Sequence, residues 1–570
     1  MAVNKTPKQL NDLGDRYFYG LQVPKNLEMA FTYYKQAADL NNPVGYFNVA
    51  KYFIEKEQYK SAIDYLNKSK ALGYTKANIQ LSNMYLNGLG LRKSKKKAFK
   101  NLDEAVSAHD INAMHQLGIF YMRGIGCKRN EQNAQKYFEL SSENNVPQGM
   151  YCLGSLYLDA KQIKKDYQNG FFWLDKAAEN GDIDAINRLR ELYQTSHPYL
   201  KKKSNLYLKE MEFYYDELLA RTGDLEALER VSFTYYYGND FCKVNYDKAN
   251  KYFKMLHEQD HTKGYLGLGL SYLYGRGTSV DYKLARENLD VAATRSDIEA
   301  LNALGEIHRL GYGVDINYAR AKDYYFEAAK GNETNALINL GLLNYRKQIS
   351  QATHELAYQY MKTASEKGNV TAYYWLGIFH DKGVGVPADF KKAETYFKKA
   401  IEYDNLGAKY KYAQMLYEHI SKIKLPRKRK NISYIMIKDL LIDYINSPVT
   451  SNVNTMYSMY MLGDLYSLKD FDLKSQKISR YYYELASSQG FTKAMVRMYF
   501  ILKEKEPKYA LTFLKKAKDQ PHDGEALYEW ANLLYEGNKY IEKDQLKAKE
   551  FYGKAASLNY QPAKEKLAMF

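Results

Sequence analysis

One small residue returns every 36 positions, and that interval constrains this chain more than anything else in it. From Ala300 it recurs at Ala336, Ala372 and Ala408. The same position is met earlier at Gln9, Gly45, Ala77, Ala113, Gly149, Ala185, Ala227 and Gly264, and later at Ser458, Ala494, Ala526 and Ala563. Most intervals are 36; the exceptions are 32 (twice), 37 (twice), 42 and 50. The 570 residues thus resolve into fifteen units, with Ala563 opening an incomplete sixteenth. A unit this short cannot bury its own apolar face, so neighbouring units must cover one another.

Within each unit the pattern predicts two helices. The first carries Leu four positions after the small residue, a tiny residue at five and an aromatic at eight, as in Ala113, Leu117, Gly118 and Tyr121. Spacings of four and eight place these on one helical face. A mid-helix glycine costs about 1 kcal/mol against alanine. Gly14, Gly118, Gly154, Gly269, Gly305, Gly341, Gly377 and Gly463 therefore need a steric reason, and a neighbouring helix too close for a Cβ supplies one. Gly-x-Gly loops follow at Gly88/Gly90, Gly124/Gly126, Gly275/Gly277, Gly311/Gly313 and Gly383/Gly385, as expected of C-caps. N-caps for the second helix are expected at Asn26, Ser94, Asn130, Asp166, Asn245, Asp281, Asn317, Thr353, Asp389 and Asp544. Ala30, Tyr33, Tyr34 and Ala37 show that helix's own pattern. The expected class is all-α, about fifteen helix–turn–helix units stacked as an α-solenoid.

Small residue, Leu-Gly-x-x-Tyr, Gly-x-Gly-Val, Asp, then Lys-Ala-x-x-Tyr-Tyr-x-Lys-Ala-Ala: this succession resembles the Sel-1-like repeat, a relative of the tetratricopeptide repeat. Ala372 to Ala400 is its clearest instance, and the resemblance runs the whole length. The second, sixth and fourteenth units fit least, with no Gly-x-Gly in the second and Arg190 and Tyr499 at the glycine position of the other two. The resemblance implies a right-handed superhelix and adaptor roles in signalling, in multiprotein assembly and, in bacteria, in contact with eukaryotic hosts.

Departures from the period suggest breaks near residues 200 and 425, giving segments 1–200, 201–425 and 426–570 within what is expected to be one continuous solenoid. The first holds QTSHPYLKKKSNL in the sixth unit; the second is an insertion of about 14 residues in the twelfth, containing the basic stretch Ile420 to Asn431. Such insertions are tolerated in loops.

Chemistry is hard to find. HExxH, P-loop, CxxC and GxSxG patterns are missing, and the Gly-x-Gly loops follow helices, not the strands a dinucleotide site requires. His308 and His380 replace the usual aromatic at position eight and are expected to be core histidines with local hydrogen bonds, while Cys127, Cys152 and Cys242 are expected to be free thiols. No cofactor, metal or catalytic residue is assigned, so the chain reads as a non-enzyme. Few cysteines, no apolar run in Met1–Leu13 and no stretch of 18 apolar residues point to a cytoplasmic protein without a membrane span.

A protein or peptide partner is expected along the concave face, at first-helix positions that packing does not claim. Those are His115 and Gln116, Tyr151, Asn187 and Arg188, Glu229 and Arg230, Asn302 and Glu306, Asn339, and Tyr374 with Trp375; Tyr410, Lys411, Tyr460, Arg497, Tyr528 and Glu529 follow. Tyr374–Trp375 is the leading patch, because rigid aromatic rings dominate recognition surfaces. The alternative is an acidic ligand such as nucleic acid. Formal net charge is +17, with clusters at Arg92 to Lys97, Lys201 to Lys203 and Arg427 to Lys430. The tyrosines, 58 in all, are expected mostly in the core with hydroxyls wet at helix edges.

Overall fold

The computed structural model describes residues 5–420, 422, 426–448, 452–520 and 523–570. Among these there are 31 α-helices and a 3₁₀ turn at Pro198–Leu200; the only β pairing is a bridge between Asn538 and Ile541. Thirty helices form fifteen pairs, here called helix A and helix B of each unit, and Gln561–Leu567 opens the sixteenth. Unit 11 is typical, with helix A Val370–Lys382 and helix B Phe390–Glu402. The chain divides into two compact bodies, Met1–Arg295 with units 1 to 8 and Ser296–Phe570 with the rest. Inside each body, a helix B packs on its own helix A and on helix A of the next unit.

All eight mid-helix glycines face a large residue of their own helix B. A Cβ on Gly305 would lie 2.5 Å from the ring of Tyr325, and one on Gly377 or Gly463 would lie 2.6 Å from Phe397 or Tyr483. Gly118 faces Phe138, Gly269 faces Leu289, Gly341 faces Met361 and Gly14 faces Tyr34. The neighbouring helix is thus too close for a Cβ, as expected, and the obstacle it presents is usually a buried side chain. At Gly154 backbone takes part as well, since the carbonyl of Gly170 on its own helix B would lie 2.8 Å from a Cβ, as would the Leu174 side chain. Backbone-to-backbone contact belongs instead to the small residue that sets the period. Cβ atoms on Gly45 and Gly264 would strike main-chain atoms of Ala37–Ala38 and of Leu256–His257, in helix B of the preceding unit.

The tyrosines do more than fill space. Tyr34, over Gly14, donates its hydroxyl to Asp15 at 2.7 Å, and Tyr483, over Gly463, donates to Asp464. Tyr215 donates to Asp175, Tyr412 to Glu394, and both Tyr235 and Tyr252 to Glu217. These hydroxyls are bound to carboxylates of neighbouring helices rather than left wet. Each satisfies a polar group that burial would otherwise strand, for a net gain of about 1 kcal/mol and more where the acceptor is ionised.

Every expected N-cap accepts a backbone N–H of its helix B, from Asn26 to Asp544. A second capping series opens the A helices, three residues before the small residue. Asn42, Asp110, Asp182, Asp224, Asp297, Asn369, Asn405 and Asp523 each receive the N–H of that residue. The loop glycines also fix unit to unit. Gly126 and Gly385 are left-handed (φ 73° and 66°) and lie against the carbonyls of Lys95 and His354, where no side chain fits. In unit 5 that position is Gln162, and a different device takes over. The buried Glu131 carboxylate accepts the N–H groups of Lys161 and Gln162 at 2.9 and 2.6 Å and meets Arg129 at 2.6 Å. Burial pushes its pKa up, but these partners outweigh it and hold the carboxyl below its ordinary range.

The atypical units keep the hairpin. In unit 6, Arg190 replaces the glycine and Asp216 stands where helix B otherwise supplies its ring; they pair at 3.1 Å, and Arg230 of unit 7 reaches the same carboxylate at 2.9 Å. In unit 12 the extra residues are not confined to a loop. They lengthen helix A to Leu406–Ile420 and helix B to Arg427–Ile445, so Arg427 to Lys430 form a first helical turn. Ser421, Ile423, Lys424 and Leu425 of the basic stretch lie outside the described residues. Arg427 pairs with Asp472 at 3.0 Å and Lys430 with Asp470 at 3.6 Å.

His308 and His380 are both buried, as expected. His380 departs from expectation in its bonding: neither ring nitrogen has a hydrogen-bond partner among the described residues, and the ring stacks on Tyr396 at 5.5 Å and meets Tyr358 edge-on at 5.7 Å. Burial, with a smaller push from Lys392 against a pull from Asp389, holds its pKa below the ordinary imidazole value.

Two outcomes follow from this packing. Gly305→Leu or Gly377→Leu drives a branched side chain into a filled ring and should cost about 1–3 kcal/mol; a wild-type melting curve for both variants contradicts the close contact. Below about pH 6.5 the unfolded chain protonates His380 while the folded chain resists until a lower pH, so stability falls as pH drops through that window. His380→Phe should shrink the loss of melting temperature between about pH 7.5 and 5.5; an unchanged loss excludes His380 as its source.

Candidate functional site

The A helices of units 4, 5 and 6 are Ile111–Arg123, Pro147–Asp159 and Ile183–Gln194; the first and third are capped by Asp110 and Asp182, and in the second Gly149 abuts the Ser141 side chain of the preceding helix B. Between them lies a cleft of about 780 Å³ in the Met1–Arg295 body. His115 and Tyr151, both expected at a partner surface, line it, together with Ile119, Cys152, Ser155 and Leu156. Arg123 and Asp159 stand at one end, Asp182 and Asp184 at the other. Arg188, also expected, does not line the cleft but pairs with the lining Asp159 at 3.2 Å and with Glu191 at 3.1 Å, and Asn187 beside it is exposed.

The cleft's chemistry is that of binding. Burial keeps the His115 imidazole below its ordinary pKa, hence neutral near pH 7, and its Nδ1 is shielded without a hydrogen-bond partner among the described residues. Burial, then the nearby Asp182, pushes the Cys152 thiol up to about 12, so it is no thiolate nucleophile. Burial likewise raises Tyr151 and Asp182, the latter despite the N–H of Ala185 on its oxygen. Cys127, Cys152 and Cys242 are free, with the Cys127 thiol directed at the Phe120 carbonyl at 3.6 Å. Among the described residues no group of three or more His, Cys, Asp or Glu is placed to hold a metal, and no helix is long and apolar enough to cross a membrane.

The other expected residues are spread over several A helices. Arg230 is committed to Asp216. Asn339 donates to the Asn302 side chain at 3.1 Å, and Glu306 lies 4.0 Å from Arg309. Tyr374 and Trp375 are half-buried, not free-standing: Trp375 packs on Tyr345 at 5.7 Å and Phe379 at 6.2 Å, and Tyr374 touches Trp375 at 5.4 Å. The sequence pattern stops at position eight of helix A, so it missed Arg123 and Asp159, each ten residues after the small residue. An extension by one helical turn finds them.

Family comparison agrees with this architecture. The Sel1 repeat profile matches residues 10–42, 75–110, 111–146, 147–182, 225–261, 262–297, 298–333, 334–369, 370–402, 457–491 and 524–560. The pairs it passes over are units 2, 6, 12 and 14, which are helical hairpins nonetheless. No curated protein matches the chain. Among solved structures it is similar to a protective antigen of uropathogenic Escherichia coli strains displaying an SLR fold, with 21% identity, TM-score 0.48 and coverage of 85% of this chain and 94% of that one. A Sel1 repeat protein from Oxalobacter formigenes is 20% identical, with TM-score 0.29 and coverage of 60% and 88%. Yeast Tom70 is 14% identical, with TM-score 0.28 and coverage of 98% and 96%. With the profile matching more than half of its residues, in register with the helix pairs, the chain belongs to the Sel1 repeat family.

Proposed function

We propose that the chain is a non-catalytic adaptor that holds a protein partner along its A helices. The observation that carries this reading is the cleft of units 4 to 6: about 780 Å³, lined by a neutral half-buried imidazole, a tyrosine and a serine, with Arg123 at one end and acidic groups at both. Such a lining offers a peptide segment both apolar area and hydrogen-bonding groups on rigid helices. Nothing in it is arranged as a nucleophile with a base. In the Ser296–Phe570 body the Tyr374–Trp375 pair, partly exposed on helix A of unit 11, supplies a second contact.

Affinity capture with His115→Ala/Tyr151→Ala and with Tyr374→Ala/Trp375→Ala beside the wild type tests this. Partners taken up by the wild type should be lost from the first variant by about tenfold or more, a 1.4 kcal/mol difference. Helicity by circular dichroism should stay unchanged for the cleft variant, whereas the half-buried rings of the second pair should also lower the melting temperature. Equal capture by all three proteins, or substrate turnover abolished by either variant, overturns the adaptor reading.

A further inference from the structure

The loops joining helix A to helix B lie side by side within the Met1–Arg295 body, and each touches its neighbour. The loop of unit 4 meets the start of helix B of unit 3 where Gly126 abuts Lys95. The loop of unit 5 meets unit 4 through Gln162 and Glu131, and that of unit 6 meets unit 5 where Tyr199 packs on Phe171 at 5.4 Å. The successive A-to-B loops therefore lay four basic clusters along one edge: Arg92 to Lys97 in unit 3, Lys128 and Arg129 in unit 4, Lys161, Lys164 and Lys165 in unit 5, and, in the longer loop of unit 6, Lys201 to Lys203. All of these cations are exposed. Only Arg129 is neutralised, by Glu131; among the described residues the other twelve have no ion pair.

This arrangement works against the fold. Lys95 to Lys97 occupy the first turn of a helix that has no acidic residue there, against the positive end of its dipole. The cluster Arg427 to Lys430, equally basic in sequence, shows the contrast, since Asp470 and Asp472 cover two of its charges. A second, different feature sits on the same edge. Tyr199 is 46% exposed and Tyr167 is 36% exposed; their rings are 6.1 Å apart, backed by Phe171 and His197, and flanked by Lys164–Lys165 and Lys201 to Lys203. A line of unpaired cations beside exposed aromatic faces is what a single strand needs, phosphates on the lysines and unstacked bases on the rings.

We propose that this edge of units 3 to 6 binds single-stranded nucleic acid, independently of any partner on the A helices. The test uses the full chain and a fluorescent oligouridylate of about 20 nucleotides, followed by anisotropy as salt rises from about 50 to 200 mM. Affinity should fall steeply with salt, with a log–log slope of about 0.7 for each phosphate neutralised. Lys164→Glu/Lys165→Glu/Lys201→Glu/Lys202→Glu/Lys203→Glu should flatten that slope and weaken binding at least tenfold; these lysines have no ion pair among the described residues, and Lys203 lies over the Tyr207 ring at 5.0 Å, so a melting curve of the variant separates lost charge from lost packing. Tyr199→Ala should weaken binding about tenfold and leave the slope intact, which is how loss of stacking differs from loss of charge. No binding at about 50 mM salt, or equal binding by the charge-reversed variant, overturns the proposal. So does equally tight binding to heparin or to phosphatidylserine vesicles with Tyr199→Ala indifferent, since a surface that any polyanion satisfies is not a single-strand site.

Discussion

The contact on which the rest of the structure depends is a ring laid flat against a bare backbone. Glycine at the fifth position of helix A lets a buried side chain of helix B, most often Tyr or Phe, lie directly on the main chain. That close approach sets the distance between the two helices of a unit. It also buries the ring, and the chain recovers the polar cost by giving the hydroxyl a carboxylate, as Tyr34 finds Asp15 and Tyr483 finds Asp464, each the residue after the glycine. The abundance of tyrosine is thus a packing device with a built-in hydrogen bond. Contacts between units follow a separate rule, in which tiny residues admit the backbone of the preceding helix B and loop glycines rest on its first turn.

Much of this was legible beforehand because a short period repeated fifteen times averages out local noise. The number of helix pairs, the ten helix B caps named from Asn26 to Asp544, and the need for glycine at Gly305 or Gly377 were all readable from spacing alone. Where reading failed, a residue's partner lay on another element. Nothing adjacent to Gly377 in sequence names Phe397 as the group above it. Asp216, in a unit shifted by its longer loop, falls out of register with the pattern, so its pairing with Arg190 was invisible. His380 was expected to find a hydrogen bond because buried imidazoles usually do, and it found two tyrosine rings instead.

The candidate site was legible in part. His115 and Tyr151 were picked out by their place on helix A, and they line the same cleft. Arg230, Asn302 and Asn339 had the same sequence signature, yet their side chains are engaged with Asp216 or with each other. Helical position tells which way a residue points and says nothing of what already occupies that direction. The basic clusters teach the same lesson in reverse: Arg427 to Lys430 and Lys201 to Lys203 look alike as strings, and only the fold shows that Asp470 and Asp472 answer the first.

Unit 6 has a consequence of its own. In the units with a mid-helix glycine the two helices adhere through a buried Tyr, Phe, Leu or Met side chain packed on the backbone. Here the joint is Asp216 caught between Arg190 and Arg230, with the arginines reaching toward solvent. An ionic joint of this kind owes much of its strength to geometry and yields little net cohesion once desolvation is counted. Within the first body it is the seam most sensitive to ionic conditions, so mechanical or thermal separation should start there and leave the flanking hairpins still clasped.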